Sequence, residues 1–302
     1  MIGRLTFQVI RGYNRVARGK TRQKMPRRNA LETERRIHTK KNKTPRVVFY
    51  DDALKDDFAG IRKETITVDE HFPYLHRSWL WNAAAFVVYR LVMTPFAFLY
   101  SKLRFGLRIR GREKLKETRG RGVFLFGNHT LMAGDAFIPN LVTFPRRTYV
   151  VVHADNLSTK GTRNWVQMSG GIPLPTALSG MRTFLSAVEA RLAAGDCVQI
   201  YPEAHVWPYC SFIRPFESAA FRYPVRFDTP VYATTVTFQK RHFFKTPRVT
   251  VWVDGPFYPD AELPPRAREK ALRDCVYEVM CERSSAYSTY TPIQYVKREE
   301  KE

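Results

Sequence analysis

Residues 122–136 read GVFLFGNHTLMAGDA, and the first six decide the fold. GVFLFG is a short unbroken apolar run that stops at Gly127, the pattern of a strand buried on both faces. Residues 148–152 (TYVVV) and 197–201 (CVQIY) repeat it. Between them, Met181, Phe184, Leu185, Val188 and Leu192 recur at helical spacing, with Gly195 as the stop. Residues 231–238 (VYATTVTF) and 248–253 (RVTVWV) read as strands rich in β-branched side chains. After Pro264 and Pro265, residues Ala267, Leu272, Cys275, Val276, Val279 and Met280 make one face of a last helix. The alternation predicts an α/β fold, with a mixed, largely parallel sheet flanked by helices and an N-terminal membrane-interfacial helical segment ahead of it. The expected division is a basic amphipathic or flexible tail over 1–60, a membrane-associated helical segment over 61–105, and an α/β domain with a C-terminal helix over 106–302.

Charge narrows the partners. The chain has 302 residues, with 50 Lys and Arg against 28 Asp and Glu, a formal net charge of +22, and is 44% hydrophobic. That apolar content supports a packed core and excludes wholesale disorder, collagen and coiled coil. The surplus is lopsided, since residues 1–50 carry 15 Lys and Arg but only the acids Glu32 and Glu34. Such a tail suits a polyanion, either nucleic acid or membrane phosphates. Ile2, Leu5, Val9, Tyr13 and Val16 fall at helical spacing among Arg4, Arg11, Arg15 and Arg18, as in a basic amphipathic helix lying in a headgroup layer. A solvated basic arm and an organellar targeting peptide share this chemistry. No secretory signal is visible. A nucleic-acid-binding role rests on charge alone and is disfavoured, because no RRM, KH, helix-turn-helix or zinc-finger signature is present.

The segment 79–100, WLWNAAAFVVYRLVMTPFAFLY, shifts the balance towards lipid, with Arg90 its only charge. It is about long enough to span a bilayer, yet Asn82, Arg90 and the kink expected at Pro95 favour a helix or broken helix pair inserted in one leaflet. Trp79, Trp81, Tyr89 and Tyr100 suit an interface, and Arg77, Lys102, Arg104 and Arg108 suit anionic headgroups. The alternative is an ordinary buried helix. Membrane attachment is expected on the cytoplasmic side. Cys197, Cys210, Cys275 and Cys281 show no CxxC spacing, so neither a disulfide framework nor a zinc site is expected. Asp51, Asp52, Asp56 and Asp57 read as a flexible polar loop.

In open α/β sheets a ligand sits off the carboxyl ends of strands. Two strand ends carry polar clusters: Asn128-His129-Thr130 leading to Gly134-Asp135, and Tyr201-Pro202-Glu203-Ala204-His205. A histidine past a strand with a carboxylate in reach can take a proton from an alcohol, the carboxylate steadying the imidazolium. A structural histidine is the plainer reading of these residues alone.

The strings FGNHTLMAGDAF, SGGIPLP, VQIYPEAH and DTPVYATTV resemble, in order and spacing, the four blocks of the phospholipid/glycerol acyltransferase superfamily, and within it the 1-acylglycerol-3-phosphate acyltransferases. The likeness covers about residues 105–240. It implies a membrane-associated O-acyltransferase that moves an acyl group from an acyl-CoA or acyl carrier protein thioester to a lysophospholipid or glycerolipid-like acceptor. No cofactor or metal is implied. By the resemblance His129 is the general base and Asp135 its support. Asn128, Thr130, Tyr201 and Pro202 adjoin the substrate, and Glu203 organises the acceptor site. The sequence departs from the family in three places. His-x5-Asp replaces His-x4-Asp, with Gly134 at the usual Asp position. Pro175 replaces an arginine of the second block, and Ala204, His205 and Val206 replace the Gly, Thr and Arg of the third. Arg182 and Arg214 are the nearby cations that could stand in for the missing arginines. The departures also admit a catalytically inactive lipid-binding homologue.

Overall fold

A computed structural model describes residues 46–58, 66–157 and 161–298. The amphipathic pattern over 2–18 lies outside the described residues. In chain order the first elements are β1 (Arg46–Tyr50), α1 (Trp79–Phe86), a π-helical stretch (Val87–Met93), α2 (Thr94–Phe105), β2 (Arg108–Arg110), β3 (Val123–Gly127), α3 (Gly134–Thr143) and β4 (Thr148–Val152). There follow α4 (Thr162–Met168), β5 (Gly171–Pro173), α5 (Met181–Ala193), β6 (Cys197–Ile200), α6 (Arg222–Arg226), β7 (Val231–Gln239), β8 (Arg248–Phe257), α7 (Pro265–Tyr287) and β9 (Ile293–Lys297).

The main sheet has seven strands in the order β2-β8-β7-β3-β6-β4-β5. Strands β7, β3, β6, β4 and β5 run parallel, while β8 is antiparallel to β7 and parallel to β2. This is the expected mixed, largely parallel α/β sheet. Why β3 carries no polar residue is plain from its two faces. Phe124 and Phe126 pack into a core with Phe184, Val188 and Leu192 of α5 and Leu272, Val276 and Met280 of α7. Val123 and Leu125 point the other way, into a core with Ala97 and Phe105 of α2 and Ile138, Leu141 and Val142 of α3. A strand between two helical layers has no solvent face, so alternation gives way to a continuous apolar run.

Pro95, where a kink is expected, does not interrupt the helix. Residues Trp79–Phe105 form one continuous 27-residue helix, the one helix among the described residues long and apolar enough to cross a membrane. Proline lacks an N–H and crowds the carbonyl one turn back. The preceding turn widens instead: the Thr94 N–H reaches the Tyr89 carbonyl five residues back, and the Thr94 hydroxyl donates to the same oxygen at 2.7 Å. The helix stops at Gly106, whose φ of 56° lets its N–H turn back to the carbonyls of Ser101 and Lys102. One side is buried by Ala85, Tyr89, Ala97, Ser101 and Phe105, and the Tyr89 hydroxyl donates to the Thr148 carbonyl. The opposite side exposes Leu80, Phe86, Leu91, Phe96, Leu99 and Leu103.

A tail running to residue 60 also needs correcting. Arg46–Tyr50 forms β1 and pairs in parallel with β9 at the far end of the chain, Arg46 opposite Ile293 and Tyr50 opposite Lys297. Phe58 packs on Trp207 and Tyr295. The acidic stretch is an organised turn, in which the Asp56 carboxylate accepts the N–H groups of Asp51 and Asp52. Residues 46–58 thus belong to the body of the protein.

Asp254 on β8 ties that strand to α7 and to the turn before β3. Its carboxylate accepts hydrogen bonds from Arg283 Nε at 2.8 Å and Lys114 Nζ at 2.7 Å. Burial alone would raise the carboxyl pKa, but the Arg283 and Lys114 contacts outweigh it and hold the group below its ordinary value. A lowered carboxyl pKa stabilises the fold above the unfolded-state value near 4, and that stability is lost as pH falls through the lower folded-state value. In urea unfolding series at pH 7 and pH 3, Asp254→Asn should lose stability at pH 7 and show a smaller decline on acidification than the wild type.

Candidate active site

His129 stands two residues beyond the carboxyl end of β3. Gly127 closes that strand where a side chain would not fit, since a Cβ there would lie 2.8 Å from Gln199 Nε2 and from Thr234 Oγ1. Asn128 then extends the ladder with its amide, accepting from Val236 N at 2.8 Å and donating to Val236 O at 3.1 Å. Thr130 turns inward, its hydroxyl donating to the carbonyls of Trp207 and Cys210. Both side chains are buried. They fix the loop from within.

Held on either side in this way, the His129 ring meets Asp135. Nδ1 lies 2.7 Å from Asp135 Oδ2. Asp135 sits in the first turn of α3, and its carboxylate also accepts the Leu131 N–H at 2.9 Å while its own N–H donates to the Leu131 carbonyl at 2.7 Å. The exchange is a capping interaction folded back on the turn between the two residues. That turn absorbs the extra residue of the His-x5-Asp spacing. Gly134 is needed because a Cβ would come within 2.8 Å of Leu131 Cβ, with the Phe105 ring behind it. Burial raises the Asp135 carboxyl pKa, opposed by the His129 contact and the N–H groups around it. With Nδ1 engaged, Nε2 is the ring nitrogen left for a ligand, and the His129 side chain remains 20% exposed.

Tyr201 supplies the floor. Its ring stacks on the imidazole at 4.5 Å between centroids and 13° between planes, and its hydroxyl donates to the Asp135 carbonyl at 2.6 Å. The phenol is buried and its pKa is pushed well up by that burial. Tyr201 thus acts on the dyad. Pro202, partly exposed, begins the turn after it. A narrow apolar crevice lined by Ile138, Pro139, Val142, Val236 and Val251 adjoins Asp135 and Tyr201.

Behind the dyad lies an ion pair. Glu203 Oε2 accepts the His129 backbone N–H at 3.1 Å and Arg214 Nη2 at 3.0 Å, while Oε1 accepts the Arg214 N–H at 3.0 Å. Burial raises the Glu203 carboxyl pKa, and the guanidinium and the two N–H groups pull it back. Arg214 also donates to the carbonyls of Ala53 and His205 and lies over the Trp207 ring at 4.7 Å. Arg214 is 0% exposed. Its guanidinium is therefore committed to the interior, and Glu203 braces the His129 backbone. Arg182 is exposed on the first turn of α5 and makes no hydrogen bond or ion pair among the described residues. His205 is half-buried, with Nδ1 3.7 Å from Asp57 Oδ2. Ala204, where the resembled block has glycine, takes a φ of 62°.

Sequence reasoning missed Trp207. It is fully buried, and its N–H donates to the His129 carbonyl at 3.1 Å. Its indole Nε1 donates to the Asp56 carbonyl at 2.8 Å, and its ring stacks on Tyr295 at 4.8 Å. Nothing in the local pattern around residue 207 signals this, because its partners come from β1, β9 and the loop after β1. Among the described residues no group of three or more His, Cys, Asp or Glu side chains is placed to hold a metal ion.

A part-exposed histidine on a buried aspartate at the carboxyl edge of a parallel sheet, with one ring nitrogen open, is an arrangement able to accept a proton. Residues 106–237 match the Acyltransferase family model. No curated protein sequence matches the chain. Among solved structures it is similar to the crystal structure of the 1-acyl-sn-glycerophosphate (LPA) acyltransferase, PlsC, from Thermotoga maritima, at 16% identity and a TM-score of 0.49, covering 69% of this chain and 84% of that one.

Removing Arg214 would leave the Glu203 carboxylate buried without its counter-charge. Arg214→Ala should lower unfolding stability by about 3–5 kcal/mol in urea titration.

Proposed function

We propose that this protein transfers an acyl group from an acyl thioester, on coenzyme A or an acyl carrier protein, to a hydroxyl of a glycerolipid-like acceptor at a membrane surface. The observation that carries the reading is the 2.7 Å contact between His129 Nδ1 and Asp135 Oδ2, which leaves Nε2 open. His129 Nε2 takes the acceptor hydroxyl proton as the oxygen attacks the thioester carbonyl. Asp135 holds the ring in one tautomer and stabilises the imidazolium. The new C–O bond forms, the C–S bond breaks, and the proton passes from Nε2 to the departing thiolate. The N–H groups of Met132 and Ala133, just ahead of α3, have no partner among the described residues and are the donors available to the developing oxyanion.

Membrane attachment is supported by the exposed apolar side of Trp79–Phe105, where Trp79 is 74% and Leu103 66% exposed. Because the other side is committed to the sheet and α3, the helix suits lying in one leaflet with the protein body against it. The cytoplasmic face is the side proposed for that attachment. With Arg214 buried, Arg182 is the cation left of the two to meet an acceptor phosphate.

Thiol release from an acyl thioester, followed in the presence of lysophosphatidate, tests the chemistry. His129→Ala should lower turnover by about 10²–10⁴-fold while unfolding and vesicle binding stay as in the wild type; full turnover in the variant would refute the assignment. Arg182→Ala should raise KM for a phosphate-bearing acceptor about tenfold, the size of one charge-assisted contact, and leave a phosphate-free monoacylglycerol unaffected.

A further inference from the structure

The turn joining β7 to β8 reads Lys240-Arg241-His242-Phe243-Phe244-Lys245. Phe243 is 96% exposed and Phe244 56%. A bare pair of phenylalanines at a hairpin tip is unfavourable in water. Their position is fixed. Arg241 donates to the Arg104 carbonyl at 3.0 Å, and the Thr246 hydroxyl donates to the same carbonyl at 2.7 Å. The Arg241 guanidinium lies over the Phe244 ring at 3.5 Å. These contacts satisfy the last carbonyls of α2 with a cation, where the helix dipole favours one. They also tie the turn to the last turn of α2, the helix on which Leu99 and Leu103 are exposed.

The location matters as much as the composition. Strands β7 and β3 are parallel, with Gly127 opposite Thr234, so the β7–β8 turn projects from the edge of the sheet at which His129 stands. An aromatic tip ringed by Lys240, Arg241 and Lys245 matches a layer that is apolar inside and anionic at its surface. We propose that residues 240–246 are a second bilayer contact, inserting Phe243 and Phe244 among anionic phospholipids and holding the His129 edge of the sheet against the membrane. This goes beyond the helix contact and rests on the membrane reading above. A contact at the turn, added to that of the helix, limits rolling of the body about the helix axis.

The test is co-sedimentation of the full chain with vesicles of phosphatidylcholine and phosphatidylglycerol, at low salt and at high salt, where binding by charge alone is screened. Phe243→Ser with Phe244→Ser is compared with the helix variant Leu99→Ser with Leu103→Ser. The loop variant should partition at least about tenfold more weakly than the wild type at high salt. It should also lose turnover on a vesicle-borne acceptor while keeping turnover on a short-chain water-soluble one, with an unchanged unfolding midpoint. A loop variant that partitions like the wild type, while the helix variant does not, overturns the loop contact and leaves the helix reading standing. A wild type that fails to sediment overturns both. Loss of self-association in place of lipid binding also overturns the proposal, in favour of a second copy of the chain as the partner of the loop.

Discussion

The buried carboxylate of Glu203 is the constraint on which the site depends. Its two oxygens accept from the His129 backbone, the Arg214 backbone and the Arg214 guanidinium, and that guanidinium reaches the Ala53 carbonyl and covers Trp207. Three stretches distant in sequence, around Ala53, His129 and Glu203–Arg214, therefore meet on one charge pair. Paired charges in a dry interior are tolerated only when the remaining donors and acceptors are engaged as well. Here the backbone of the reactive histidine is one of those donors, so its position is coupled to the integrity of the whole cluster.

The fold was legible where burial is two-sided. Val123–Gly127, Thr148–Val152 and Cys197–Ile200 are short apolar runs because helices cover both faces, and that composition survives any choice of neighbours. The three-residue strands β2 and β5 and the outlying pair β1–β9 were not legible. Their residues are partly exposed and mixed in character, and only a partner distant in sequence makes them strands. Pro95 misled for a related reason. A proline marks a disturbed hydrogen-bond ladder, but the local pattern does not say whether the chain answers with a bend or with a wider turn.

The site divides along the same line. His129 and Asp135 were readable because both lie within one strand-turn-helix passage, and the added residue between them is taken up inside that passage. Asn128, Thr130, Glu203 and Arg214 were read as facing a substrate, and the structure turns each of them inward. A polar residue near a reactive histidine has the same appearance in sequence whether it touches ligand or braces the loop. Which it does is decided by long-range partners such as Val236, Trp207 and Ala53. Trp207 escaped notice altogether, since its burial is built from Tyr50, Phe58 and Tyr295 at opposite ends of the chain.

The pairing of β1 with β9 orders events in time. Strand β9 begins at Ile293, so when the chain is made from its N-terminus the sheet, α3 and the loop bearing His129 can all emerge before the strand that covers Trp207 exists. Closing so long a loop adds little free-energy cost beyond that of a shorter one, because the entropy grows only logarithmically with length, but it must come last. During synthesis the loop bearing His129 can form before Tyr295 is there to stack on the Trp207 indole, and the brace behind that loop is completed only once β9 has emerged. Acquisition of a rigid site is thereby tied to the emergence of β9.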